Sequence, residues 1–76
     1  MAATVLQKRF GKVVRRHREH LGVSQEELAY RANIHRTYVS MVERGVGNPT
    51  LSVIADLAKA LETTIAELAR DVERRS

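Results

Sequence analysis

The sequence predicts an all-α fold, five short helices packed as one compact domain, and three observations carry that expectation. No segment alternates apolar and polar residues with a period of two, as a half-buried strand would. Apolar residues recur at three- and four-residue steps instead. Hydroxyl residues followed three positions later by Glu or Gln stand ahead of several of these runs, and Gly, Asn or Pro follows them.

Each helix has its own signals. Thr4 and Gln7 form a capping box for a first helix that runs to Leu21 and stops at Gly22. Leu6, Phe10, Val14, His17 and Leu21 form its expected buried stripe. Ser24 and Glu27 open a second helix ending near Ala32, with Leu28 and Ala29 inward. Asn33 takes the tight turn that follows, because Asn tolerates a left-handed backbone. A third helix spans about His35 to Arg44 and stops at Gly45. Val46 to Pro49 is a loop, and Thr50 caps a fourth helix through Leu61, with Leu51, Ile54, Leu57, Ala58 and Leu61 buried. Thr64 and Glu67 start a fifth helix with Ile65 and Leu68 inward. The core is expected over about 5–69, with the charged stretch 70–76 frayed. Gly and Pro are expected only where helices stop.

The 76 residues provide room for one domain. Chains this short rarely gain more than ~3–5 kcal/mol from their own core. With no cysteine there is neither a disulfide nor a thiolate zinc site, so a reducing cytoplasm suits the chain and a second copy is the expected reinforcement. No apolar run approaches the ~20 residues of a membrane span. The opening MAATVLQKRF lacks the apolar stretch of a signal peptide, so export is not expected.

The net charge of +4 is unevenly spread. Residues 1–22 hold Lys8, Arg9, Lys12, Arg15, Arg16 and Arg18 against the single acid Glu19. Residues 23–50 balance at three against three, and 51–76 carry four basic groups against five acids. A basic first helix favours a polyanion on one side of the molecule, although charge alone also fits a solvated helix.

The stretch from Gln25 to Gly45 reads as two short helices joined by a tight turn, the layout that lowers a helix into a DNA major groove. At 100° per residue, Val39 and Val42 of the third helix fall on the core side, while Arg36, Thr37, Ser40, Met41 and Arg44 share an opposite arc of roughly 140°. Arg36 can grip a guanine through O6 and N7, Thr37 and Ser40 can bond base edges, and Met41 can lie against a thymine methyl. Tyr38 and Arg44, at the sides, suit phosphates. Gln25 starts a helix whose free N–H groups attract a phosphate. Arg15, Arg16 and Asn48 complete the expected phosphate contacts.

The run Leu21 to Ala29 (LGVSQEELA), then Val39 to Gly45 (VSMVERG) and Asn48 to Leu51 (NPTL), resembles the Cro/repressor type of helix-turn-helix regulator, the xenobiotic-response-element-like family. The likeness covers about residues 10–68. It implies a lambda-repressor-like five-helix domain and a two-fold homodimer on a palindromic double-stranded DNA operator, in the cytoplasm or nucleoid of a bacterium or phage host. It also implies an ion pair between Arg18 and Glu43. If shielded, that pair costs ~3–5 kcal/mol to break by removing one partner; if solvated, it is worth at most ~1 kcal/mol. Within the family, the short length, the HRTYVS segment and the VERGVGNPTL run are similar to the controller proteins of restriction–modification systems. That likeness implies control of the chain's own operon and of restriction–modification genes, as repressor or activator. Activation would also need a contact with RNA polymerase, for which the start of the fourth helix and the Asn48 loop are candidates by position. Two residues depart from the family pattern: Asn33 replaces the usual turn glycine, and His17 takes a place usually aliphatic, which is expected to loosen packing.

Val53, Leu57, Ile65, Leu68 and Val72 form the expected dimer patch across the fourth and fifth helices. Two other classes are weighed against the regulator. For an enzyme, His17, His20 and Glu19 do not match a metal-binding spacing, no nucleophile–base pair or phosphate loop is present, and no cofactor is expected. The other is an antitoxin or protein-interaction module reusing the same fold. The uncluttered polar face of the third helix favours the regulator.

Overall fold

The computed structural model describes residues 4–74. Five helices follow one another: α1 (Val5–Leu21), α2 (Gln25–Ala32), α3 (Arg36–Glu43), α4 (Leu51–Ala60) and α5 (Ile65–Arg74). Among the described residues there is no strand. α1 packs against α3 and α5, α2 against α3 and α4, and α4 against α5, within extents of 28 × 25 × 21 Å.

Local chemistry sets the boundaries. Thr4 Oγ1 accepts from the Gln7 N–H at 3.1 Å, and Gln7 Oε1 accepts from the Thr4 N–H at 2.7 Å, closing a reciprocal cap. The Ser24, Thr50 and Thr64 hydroxyls accept from the backbone three residues on. The Glu27 and Glu67 side chains turn forward along their own helices to Arg31 and Arg70. Asn33 lies in the left-handed region (φ 58°, ψ 44°), which ends α2 and redirects the chain into α3.

The core is built from Val13, Val14, Leu28, Val39, Leu57 and Leu68, all essentially inaccessible to solvent. This departs from the expected stripes. Leu6 is 65% exposed and Leu51 69% exposed, whereas Val13, off the expected stripe, is fully buried. Ile65 is also exposed, and Phe10, His17, Leu21 and Ile54 are half-buried. The reason is tertiary: α1 has neighbours on two sides, α3 and α5, so its buried face is centred on Gly11, Val13 and Val14.

Gly11 overturns the expectation that glycine only ends helices. It lies inside α1, where an added Cβ would come within 2.4 Å of the Val42 carbonyl oxygen and 2.7 Å of the Glu43 carbonyl oxygen. The bare backbone lets α1 press against the last turn of α3.

The tail also differs from expectation. α5 continues to Arg74, because Val72 is buried and Asp71 is tied to α1. His17 Nε2 and Asp71 Oδ2 are 2.7 Å apart, so the histidine expected to loosen packing joins α1 to α5. Residues 75–76 of the expected frayed segment lie outside the described residues.

Candidate nucleic-acid interface

Helix α3 is anchored from behind and open in front. Val39 and Val42 are buried, while Arg36, Thr37, Met41 and Arg44 are exposed and Ser40 is half-buried. The Arg44 guanidinium folds back, its Nε donating to the Ser40 carbonyl at 3.3 Å. Tyr38 is half-buried and packs against the core, so only part of its ring is open to a phosphate.

A shielded polar cluster holds this helix at its C-terminal end. Arg18 Nε donates to Glu43 Oε2 at 2.6 Å and Arg18 Nη2 donates to Glu43 Oε1 at 3.1 Å, a two-pronged pair with side chains only 13% and 4% exposed. Arg18 Nη1 donates to the Val23 carbonyl at 3.0 Å, and Gln25 Nε2 donates to Glu43 Oε1 at 3.1 Å. One carboxylate thus gathers α1, the α1–α2 turn, the start of α2 and the end of α3. The hydrogen bond to Glu43 holds the Arg18 guanidinium even above its usual basic range, outweighing the opposite effect of burial. Because the shift is upward and the partner is a carboxylate, the contribution fades at the alkaline side only as pH climbs past an already extreme arginine range, so it persists throughout neutral conditions.

Gln25 and Arg36, separate in the sequence, line one shallow depression with Arg18, Ser24 and Glu26. The Gln25 amide is partly committed to Glu43, which fixes its position at the head of α2. Arg15 pairs with Glu19 on the surface of α1 at 3.1 Å, and Arg16 is exposed. Asn48 is exposed in the α3–α4 loop, which Gln7 of α1 steadies by donating to the Gly47 carbonyl. The same loop begins at Gly45, where φ is +77° and a Cβ would approach the Lys8 Cα to 2.9 Å.

Two residues of this region escaped the sequence reading. Gly11 sets the approach of α1 to α3, and a glycine interrupting a helical run was the available signal. His35 caps α3, its Nδ1 accepting from the Thr37 N–H at 3.1 Å. The missing Ser, Thr, Asp or Asn at that place was its signal.

The expected dimer patch needs correction. Leu57, Leu68 and Val72 belong to the protomer's own core, and Val53 is half-buried against it. Only Ile65 of the five is exposed, because the shared apolar face of α4 and α5 is used to join those helices to each other and to α1 and α2. The most exposed apolar side chains overlap that patch only at Ile65. Leu6, Val46, Leu51 and Ile65 border an open groove of about 370 Å³ between the start of α1, the α3–α4 loop and α5, with Phe10 and Ile54 also in its lining.

Among the described residues, no group of three or more His, Cys, Asp or Glu is arranged to hold a metal ion, and no helix is long and apolar enough to cross a membrane.

Comparison with known proteins agrees with this geometry. A family model described as helix-turn-helix matches residues 14–68. The control protein C.SmaI of Serratia marcescens is 47% identical over 55 residues, 72% of this chain and 66% of that protein. The control protein C.MunI of a Mycoplasma species is 34% identical over 67 residues, covering 87% of this chain and 90% of that protein. Among solved structures, the restriction-modification controller protein C.AhdI from Aeromonas hydrophila superposes with a TM-score of 0.80 at 42% identity, over 82% of this chain and 94% of that one. With the match extending over most of its length and the two-helix unit intact, this chain belongs to the helix-turn-helix family.

Proposed function

We propose that this chain is a sequence-specific regulator of transcription that binds double-stranded DNA as a homodimer, with α3 in the major groove. The observation that carries the reading is the open face of α3, with Arg36, Thr37 and Met41 exposed opposite two buried valines and Glu43 fixed by Arg18 and Gln25. In this reading Arg36 reads guanine, Thr37 and Ser40 meet base edges, and Met41 covers a thymine methyl. Gln25, Arg44, Asn48, Arg15, Arg16 and the open part of Tyr38 position the phosphates.

Two copies would associate through the groove bordered by Leu6, Val46, Leu51 and Ile65 and place two α3 helices on half-sites of a palindrome. For such dimers the half-sites lie roughly 34–36 Å apart, one turn of DNA. Two of the named relatives are control proteins and the third is a restriction-modification controller protein, which supports control of the chain's own operon and of a neighbouring endonuclease gene. Activation in addition to repression would need a further surface to meet RNA polymerase, because the start of α4 and the Asn48 loop line the groove assigned to the second copy.

Selection of bound duplexes from a random pool tests the proposal. A palindrome with half-sites one turn apart is the expected result; recovery of no preferred sequence at low salt would refute it. On the recovered duplex, Arg36→Ala should cost roughly 1–3 kcal/mol and relax the preference at one base position.

A further inference from the structure

α3 is capped by a different chemistry from its neighbours. Thr4, Ser24, Thr50 and Thr64 cap with a hydroxyl, whereas His35 caps α3 with an imidazole. The Thr37 N–H can only donate, so the His35 Nδ1 that receives it at 3.1 Å carries no proton. The neutral ring therefore keeps its proton on Nε2. No residue of the protein takes up that second N–H among the described residues, and His35 is exposed, immediately before Arg36.

A hydroxyl cap accepts, and can donate, only close to its own backbone. An imidazole spans two positions, one edge bound to the helix and the other turned away from it.

We propose that His35 is a further DNA-contacting residue, whose Nδ1 caps α3 while its Nε2–H donates to a phosphate oxygen beside the bases that Arg36 reads. The proposal rests on the reading of α3 as the recognition helix. The cap fixes the tautomer, and the tautomer supplies the donor. The contact is made by a neutral ring, so it holds the helix in register without displacing a counterion from the duplex.

The test uses the full chain and the duplex recovered from the random pool. His35→Ser keeps a capping hydroxyl but replaces the far-reaching N–H by an O–H held close to the helix, short of the phosphate, and His35→Ala removes both cap and donor. His35→Ser should keep the wild-type melting temperature yet bind roughly tenfold more weakly. That loss should be equal on the best site and on singly altered sites, with an unchanged salt slope. His35→Ala should lose both affinity and thermal stability. In the wild-type protein, nitrogen NMR should find Nδ1 unprotonated and the Nε2–H resonance displaced when duplex is added. Wild-type affinity in His35→Ser, a loss confined to particular bases, or an Nε2–H resonance indifferent to duplex would overturn the proposal. Arg36→Ala separates the two levels. If it too binds normally, the reading of α3 has failed; if it binds weakly while His35→Ser does not, only the role of His35 has.

Discussion

The two sides of this small domain are built from opposite materials. Behind the C-terminal end of α3, polar groups are shielded and engaged: the Glu43 side chain is 4% exposed and receives three N–H donors from Arg18 and Gln25. Around the start of α1, the α3–α4 loop and α5, apolar groups are open, with Leu51 69% and Leu6 65% exposed. A shielded carboxylate with all its partners in place fixes geometry within one protomer. Open leucines and isoleucine around a groove have no such internal purpose and gain free energy only when something covers them. On the proposed function, the contrast separates a face set for reading from a face left for association.

The strongest way to break the first face is Glu43→Ala, which strands the Arg18 guanidinium and should cost ~3–5 kcal/mol in urea denaturation. A loss below ~1 kcal/mol would mean that water already reaches the pair. Gly11→Ala comes next. Its methyl would meet the Val42 and Glu43 carbonyl oxygens, so a loss of about 1–3 kcal/mol is expected, together with weaker DNA binding through displacement of α3.

Leu51→Glu probes the second face. Exposure makes the protomer's own stability insensitive to it, within roughly 0.5 kcal/mol. Sedimentation should instead show the dimer giving way to monomer; a persisting dimer would place the interface elsewhere. The smallest effect belongs to neither face and calibrates both. Glu62 holds a left-handed backbone (φ 61°) at the end of α4, and Glu62→Gly should raise stability by roughly 0.5–1 kcal/mol without changing association or DNA binding. Its 3.7 Å ion pair with Arg31 is exposed and contributes little.

Features decided within one turn of chain were legible in the sequence. The hydroxyl caps, the left-handed Asn33 and the division of α3 into a valine side and a polar side need only neighbouring residues. Features decided by packing were not. Leu6 and Val13 both look apolar on α1, and only the placement of α3 and α5 exposes one and buries the other. His17 and Asp71 are 54 positions apart, so neither reveals the other along the chain. The expected patch on α4 and α5 was apolar as read, but an apolar helix face does not declare whether it meets its own domain or another copy. Three of its five members went to the interior.

The open groove has a consequence for timing. If two copies must meet there before either holds DNA firmly, then while the chain is scarce the number of competent pairs grows with the square of its abundance. While the chain is scarce, little DNA would be held. Later, a modest rise in supply would trip the response sharply, giving a delay with no timer beyond a few uncovered leucines and an isoleucine.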